Sequence, residues 1–282
     1  MFDDVYEFCE LGFRKREKKM SLLRTVKTLS VALGLGLALS NCGTEATTDI
    51  KVANGTVIPE TSFPSVVLLY DQKGSICTGT FVTEEIVLTA AHCTMSGDVD
   101  AEGNVDLTLG IIEVEDMSAG KAKLVAKSTK IVRNTAWDKA GRAVNRYDLG
   151  LVYFPAGTAK ALSKISSSPA RRGDDFTIVG YGLNQTNDLS DGSSAGTKRA
   201  GDNTVSSVSG GFIQFYGATK TSTGDGSNAS SSSGDSGGPL FIDGDIAGVT
   251  SGGGNSFGRA RSMYIDLHSS TSREFLGKYL DY

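Results

Sequence analysis

Histidine is scarce in this chain: its 282 residues include two, His92 and His268. That scarcity excludes a histidine-rich metal centre, and no metal or other cofactor is expected. The four cysteines, Cys9, Cys42, Cys77 and Cys93, follow no zinc-binding spacing. Proline is thinly used, with 5 residues against 35 glycines. Many short strands joined by tight turns use such a composition. An excess of basic charge is missing as well. The formal net charge is -4, so nucleic acid is not an expected partner. What is present suits a packed core: 39% of residues are hydrophobic and 21% charged, which argues against disorder. The length fits one large domain or two small ones.

The N-terminal region reads as an export signal. Within residues 20–42, Arg24 and Lys27 form a short basic stretch, and Leu29 to Leu39 is apolar and uncharged. That run is too short for a membrane-spanning helix and has the pattern of a secretory signal peptide. The plainer reading is a buried core helix. Residues 1–19 fit poorly, with Glu7, Glu10 and Glu17 around a basic cluster from Arg14 to Lys19. Met20 is therefore the expected initiator, and 1–19 a mis-assigned extension. Leu39-Ser40-Asn41-Cys42 resembles a bacterial lipobox, in which Cys42 would be acylated, although Asn41 departs from the usual small residue. Ordinary cleavage near this point, giving a soluble protein, is the alternative. Export permits disulfides. Residues 43–51 read as a linker or propeptide.

From Val52 onward the chain reads as strands. Ser65 to Tyr70 and Glu85 to Ala90 are β-rich runs bounded by turn residues. Val105 to Leu109 alternates apolar and polar as a half-buried strand does. Lys123–Val132, Leu149–Phe154, Phe176–Val179, Gly211–Tyr216, Leu240–Ile242 and Ile246–Thr250 continue the series. Such spacing implies an all-β barrel or sandwich. Pro155 to Asp175 reads as a crossover between two halves. Asn184 to Asn203 and Ser222 to Ser233 read as long surface loops. One helix is expected, over 271–281. Thr271 and Glu274 would form a capping box, and Phe275, Leu276, Tyr279 and Leu280 an apolar face.

Three segments carry chemistry. Thr89-Ala-Ala-His92-Cys93 follows a strand; alone, its histidine is as readily a hydrogen-bonded core residue. Tyr147-Asp148-Leu-Gly-Leu-Val152 sets one acid before an apolar run; alone, that acid is as readily a turn residue. Gly234-Asp235-Ser236-Gly-Gly-Pro239 is more specific. A serine among glycines just before a strand is a tight turn that exposes both a hydroxyl and adjacent amides. Nucleophilic attack on a carbonyl needs both.

Together these segments resemble the trypsin/chymotrypsin-like serine peptidases. The order His, Asp, Ser is that family's order and no other common triad's. The separations, 56 residues from 92 to 148 and 88 from 148 to 236, are similar to the family's. Ser75 to Val82, Val179-Gly180-Tyr181-Gly182 and Gly248 to Gly253 resemble further family segments. Coverage runs from Val52 to the C-terminus. The resemblance implies two six-stranded antiparallel β-barrels of chymotrypsin type with a C-terminal helix, barrel 1 at about 52–160 and barrel 2 at about 170–268. It implies a Cys77–Cys93 disulfide beside the histidine. It also implies a triad of His92, Asp148 and Ser236, with the Gly234 and Ser236 amides as oxyanion hole. Lys51-Val52-Ala-Asn-Gly55 resembles an activation site, cleaved after Lys51 so that the Val52 amine pairs with Asp235.

The resemblance places Ser230 at the base of the primary pocket, where a trypsin would carry an aspartate. Ser251 and Gly253 fall on the substrate-pairing strand and Ser262 at the pocket's back. Gly252 and Gly253 leave the entrance open. Large apolar or aromatic side chains are the expected preference, unless Asp225 reaches the pocket and restores a basic one. Ser232 stands where a pocket-bracing cysteine is usual. The implied protein is a monomeric endopeptidase acting on proteins or peptides. It would be secreted or held in the cell envelope, with membrane attachment if Cys42 is lipidated. An inactive homologue that binds peptides or proteins in the envelope is the alternative.

Overall fold

Short β-branched and aromatic runs, each closed by a turn, set the architecture. The computed structural model describes residues 52–116, 121–184, 195–219, 225–256 and 258–281. The export signal, Cys42 and Lys51 lie outside the described residues. In the first half come β1 (Thr56–Val57), β2 (Val66–Asp71), β3 (Ile76–Phe81), β4 (Ile86–Thr89), β5 (Asp98–Val99), β6 (Val105–Asp106), β7 (Leu109–Asp116), β8 (Lys121–Lys127), β9 (Lys130–Arg133), helix α1 (Thr135–Lys139) and β10 (Gly150–Tyr153). The second half holds β11 (Asp175–Gly180), β12 (Arg199–Thr204), β13 (Ser207–Ser209), β14 (Phe212–Gly217), β15 (Pro239–Ile242), β16 (Asp245–Ser256), β17 (Arg259–Asp266) and helix α2 (Ser270–Leu276).

Apart from β5 and β6, which pair only with each other, the strands form two curled antiparallel sheets, the chymotrypsin-type pair of barrels. One is seven-stranded, in the order β8-β7-β2-β3-β4-β10-β9; the other is eight-stranded, β1-β12-β11-β15-β16-β17-β14-β13. The counts exceed six for local reasons. The expected Lys123–Val132 run breaks at Ser128 and Thr129 into β8 and β9. The two-residue β1 and three-residue β13 extend the edges of the second sheet. Residues 56–57, expected in barrel 1, pair with β12 and so join barrel 2.

Each barrel has its own core, and a third core lies between them. Leu69, Phe81, Val87, Ile111, Ile131, Val152 and Phe154 fill the first. Phe176, Ile178, Ile213, Phe215, Leu240 and Tyr264 fill the second. The seam takes Leu68, Leu88 and Leu151 from one side, Val179, Phe241 and Val249 from the other, and Phe275, Leu276 and Leu280 from the C-terminus. Strand alternation explains the division. In β4, Val87 points into the first barrel while Ile86 and Leu88 point into the seam. A strand buried on both faces is largely apolar, as β4 is; its one polar residue, Thr89, donates its hydroxyl to the Thr78 carbonyl.

Three expectations need correction. Helix α2 starts one residue earlier than predicted and ends at Leu276, not 281. Its N-cap is Ser269, whose hydroxyl accepts from the Ser272 amide, so Thr271 and Glu274 form no capping box. Ser269 holds the extended backbone a cap requires. Strand β12 lies inside the predicted 184–203 loop; its Arg-Ala-Gly-Asp-Asn-Thr sequence has poor strand propensity, but β1 and β11 pair with it on both sides. Helix α1 was not expected: five residues are too few to show helical periodicity, and Asn134 caps it by accepting from the Ala136 amide.

Phe215 packs against Phe176 at 4.4 Å and Tyr264 at 5.5 Å between ring centres, with no exposure. Phe215→Ala should lower the unfolding free energy by about 3–5 kcal/mol. Urea titration followed by tryptophan fluorescence will measure it.

Candidate active site

His92 sits where β4 ends. Ala90 is extended, and Ala91–Thr94 then make one 3-10 turn, closed by Thr94 Oγ1 donating to the Ala91 carbonyl at 2.7 Å. The expected Cys77–Cys93 disulfide is present and ties this turn to β3. Arg133 braces it from below. Its side chain has no exposure; Nη1 donates to the Thr94 carbonyl at 2.8 Å and Nε to Asp138 Oδ2 at 3.0 Å. Thus the guanidinium links the histidine turn to α1, from which the chain runs on to Asp148.

Asp148 closes a turn in which Asn145 does most of the work. The Asn145 side chain accepts from the Tyr147 amide, and its carbonyl accepts from the Asp148 amide. The carboxylate is 1% exposed and gathers three donors. Oδ2 accepts from His92 Nδ1 at 2.8 Å and from Ser251 Oγ at 2.6 Å; Oδ1 accepts from the His92 backbone amide at 2.9 Å. An Nδ1–H bound to this carboxylate leaves Nε2 as the free acceptor of the neutral ring. The imidazole keeps 25% side-chain exposure, against 1% for the carboxylate.

Ser236 lies on the turn leading into β15, at partial exposure between buried glycines. Gly234 and Gly237 take positive φ values of 98° and 79°, a region costly for any residue with a Cβ. Four consecutive carbonyls of the turn are held. Ser233 accepts from Leu183 N at 2.8 Å, Gly234 from Thr78 Oγ1 at 2.9 Å, Asp235 from Gly238 N at 2.8 Å and Ser236 from Thr78 N at 2.8 Å. Among the described residues the Gly234 and Ser236 amides donate to no other group. The Ser236 carbonyl lies 3.5 Å from Cys93 Sγ, which brings the serine turn against the histidine turn. No hydrogen bond joins Nε2 to Ser236 Oγ among the described residues.

The predicted pocket residues cluster beside this turn. Ser230 is fully buried; its amide donates to the Ala53 carbonyl at 3.0 Å and its hydroxyl to that of Ala218 at 2.5 Å. Ser262 accepts from the Ser231 amide at 3.1 Å and from its hydroxyl at 3.0 Å. Among the described residues these three serines thus stand together with no carboxylate hydrogen-bonded to any of them. Asp225 is exposed, and its carboxylate accepts from the amide and hydroxyl of Ser227. Gly253 pairs with Ser262 at an exposed edge. The expected opening at Gly252 is partly covered, since Val144 Cγ2 lies where it would crowd any Cβ there.

Asp235 is fully enclosed. Oδ1 accepts from Gly182 N and Oδ2 from Ser232 N, both at 2.8 Å. Burial pushes its pKa up to about 6, against the pull of these two amides and of Arg199. Val52 is wholly buried in the second barrel's core, and Ala53 bridges to Ser230. Ligand atoms of Cys77, His92 and Cys93 come within 4.8 Å of one another. They make no metal set, since the sulfurs are bonded to each other and Nδ1 donates to Asp148.

Sequence reasoning missed Thr78 and Arg133, and it gave Ser251 a substrate role while its hydroxyl turns to Asp148. Thr78 lies in an ordinary strand pattern and Arg133 ends one; neither carries a local signal. The register shift between Thr250 and Gly252 in β16 was equally hidden.

The protein-family model described as "Trypsin" matches residues 52–272. Among curated proteins, the platelet-aggregating proteinase PA-BJ of Bothrops jararaca is 28% identical over 206 residues, covering 70% of this chain and 81% of that protein. A snake venom serine protease NaSP of Naja atra is 29% identical over 141 residues, which is 46% of this chain and 44% of that one. A trypsin-like protease of Streptomyces glaucescens is 29% identical over 154 residues, 54% of this chain and 49% of that one. The chain thus spans about half or less of the length of two of these three. The solved structure of a Glu endopeptidase in complex with MPD aligns with a TM-score of 0.56 at 17% identity, over 79% of this chain and 95% of that one, and supports the fold.

The enclosed Asp235 generates a pH dependence. Unfolded, it loses its proton near the ordinary value of 3.8; folded, it holds it to about 6. Between these values the native state binds more protons, so this group's contribution to stability declines as pH rises. In the chain with Lys51 still attached, Asp235→Asn should flatten the fall in urea midpoint from about pH 4 to about pH 6. A wild-type-minus-variant difference that stays constant over that window would contradict it.

Proposed function

The chain belongs to the trypsin family, and from that premise we propose that it is a serine endopeptidase in which His92, Asp148 and Ser236 act together. The observation that carries the reading is the pairing of a buried, three-donor carboxylate on His92 Nδ1 with a glycine-rich serine turn that leaves the Gly234 and Ser236 amides, on either side of Asp235, undonated. Ser236 Oγ attacks the scissile carbonyl while His92 Nε2 takes its proton. The carbonyl oxygen becomes an anion held by the Gly234 and Ser236 amides. Collapse of this intermediate expels the amine, which leaves with the proton from His92, and an acyl-enzyme remains. Water, deprotonated by the same imidazole, then releases the acid and restores Ser236. Asp148 fixes the ring's tautomer and stabilises its charged form.

Activation follows the same premise. Cleavage after Lys51 frees the Val52 amine, whose ammonium pairs with Asp235. The burial of Val52 and the bridge from Ala53 to Ser230 support this, because they already place the segment beside the pocket. An ammonium there would offset, by its charge, the desolvation that raises the Asp235 pKa.

Substrates are proteins or peptides, and the residue before the scissile bond is uncharged, with large apolar or aromatic side chains preferred. A lysine or arginine in the pocket would bury its cation against Ser230, Ser231 and Ser262 with no carboxylate to meet it. The enzyme then needs another protease to cut after Lys51. The disulfide supports an exported protein, with lipidation of Cys42 the proposed route to membrane attachment.

A fluorophosphonate probe should label the cleaved protein, and Ser236→Ala should abolish labelling. His92→Ala should lower kcat by about 10⁶-fold. Full peptidase activity in the Ser236→Ala protein would reject the mechanism. A peptide-library digest should show cleavage after uncharged residues; dominant cleavage after lysine or arginine would overturn the pocket assignment.

A further inference from the structure

We infer that Thr78 is a positioning residue that holds the oxyanion turn in its working geometry through its side-chain hydroxyl. The inference rests on the peptidase reading above and adds a residue that the triad does not include.

Thr78 lies in β3, directly after the disulfide cysteine, and has no exposure. Its Oγ1 donates to the Gly234 carbonyl at 2.9 Å and accepts from the Tyr181 amide at 3.2 Å. Its backbone amide donates to the Ser236 carbonyl at 2.8 Å, and its carbonyl accepts from Thr89 Oγ1 at 2.9 Å. One residue of the first barrel thus grips the serine turn at two carbonyls, and the strand that leads into His92 at a third point.

The Gly234 contact matters most. Gly234 has a φ of 98°, and glycine's freedom in that region lets its flanking peptides rotate at low cost. Three anchors oppose rotation, one of them the Asp235 amide, which donates to the Ser232 carbonyl at 3.0 Å. Leu183 N holds the Ser233 carbonyl, which turns the Gly234 N–H the opposite way, and Thr78 Oγ1 holds the Gly234 carbonyl. Removing the Thr78 bond leaves the Gly234–Asp235 peptide held at its N–H alone, with its carbonyl free to tilt. Thr78 itself cannot easily shift. A Cβ on the neighbouring Gly79 would lie 2.4 Å from Val87 Cγ1, so the Val87 side chain packs directly over this part of the strand. The β-branched side chain also limits χ1. Tyr181, Gly182 and Leu183 donate in succession to Thr78 Oγ1, Asp235 Oδ1 and the Ser233 carbonyl. The hydroxyl therefore acts as an uncharged relay from this segment to the turn, in parallel with Asp235.

The test compares Thr78→Val, which replaces the hydroxyl by a methyl, with Thr78→Ser, which keeps it. Thr80→Val is the control: two residues along the same strand, its buried Oγ1 has no partner. Each variant is activated as the wild type is, and kcat, KM and inhibition by a peptide boronic acid, which forms a tetrahedral adduct on the serine, are measured. Thr78→Val should lose about 10–100-fold in kcat and in boronate affinity with little change in KM, as misplaced catalytic geometry does. Thr78→Ser should recover most of that loss, and Thr80→Val should show none. If Thr78→Val does not fold, Thr78→Ala against Thr78→Ser isolates the hydroxyl. Equal boronate affinity in wild type and Thr78→Val, or an equal loss in Thr80→Val, would overturn the inference. Failure of the wild type itself to react with the fluorophosphonate would instead sink the peptidase reading.

Discussion

Strand β3 is the member on which the rest of the site depends. At Cys77 it is bonded covalently to the histidine turn, and at Thr78 it is hydrogen-bonded to the serine turn. Two adjacent residues of one strand thus set the separation of two loops that belong to different barrels. A disulfide fixes its loop chiefly by restricting the unfolded chain. The Thr78 bonds act in the folded state, where a buried carbonyl left without a donor costs about 1–3 kcal/mol. The two residues therefore constrain the cleft by different physical means, and neither substitutes for the other.

The carboxylate of Asp148 shows the same dependence on docking. It lies on the first barrel with His92, but its third donor, Ser251, comes from β16 of the second. A carboxylate with 1% exposure needs its donors. Closure of the seam by Leu68, Leu88, Val179, Phe241 and the C-terminal Phe275 and Leu276 delivers that donor. The apolar seam and the polar site are thus one cooperative unit. Arg133 extends it inward, holding the end of the histidine turn to Asp138 of α1.

How much of this was legible in the sequence varies with the kind of signal. The fold was legible because β-rich runs and turn residues recur throughout, and the three chemistry-bearing segments because each is short and locally unusual. Residues whose role arises only across barrels left no trace. Thr78 reads as one more strand threonine and Arg133 as the polar end of an apolar run. Ser251 was placed on its strand, but the register shift after Thr250 that accompanies its turn toward Asp148 has no sequence signature. Strand β12 was missed because its ladder bonds, not its side chains, make it a strand. At α2 two hydroxyl residues competed for the cap, and Ser269 took it over Thr271 through backbone geometry that composition does not encode.

Asp235 turns these constraints into a question of charge. Two amides and the nearby Arg199 offset only part of the cost of enclosing its carboxylate, which is why its proton is held to about pH 6. Glycines at 180 and 182 make the enclosure possible, since a Cβ on either would lie 2.1 Å or 2.6 Å from the carboxyl group. So close a wall around an acid next to the candidate nucleophile makes its charge state depend on whatever cation comes within reach. On the proposed activation the Val52 ammonium is that cation, and it arrives through a segment already bridged to Ser230. Thr78 holds the same turn by neutral hydrogen bonds alone, so the turn's order draws on one charge-dependent and one charge-independent source. The first varies with the protonation of Asp235 and so with pH; the second persists whenever the barrels are docked.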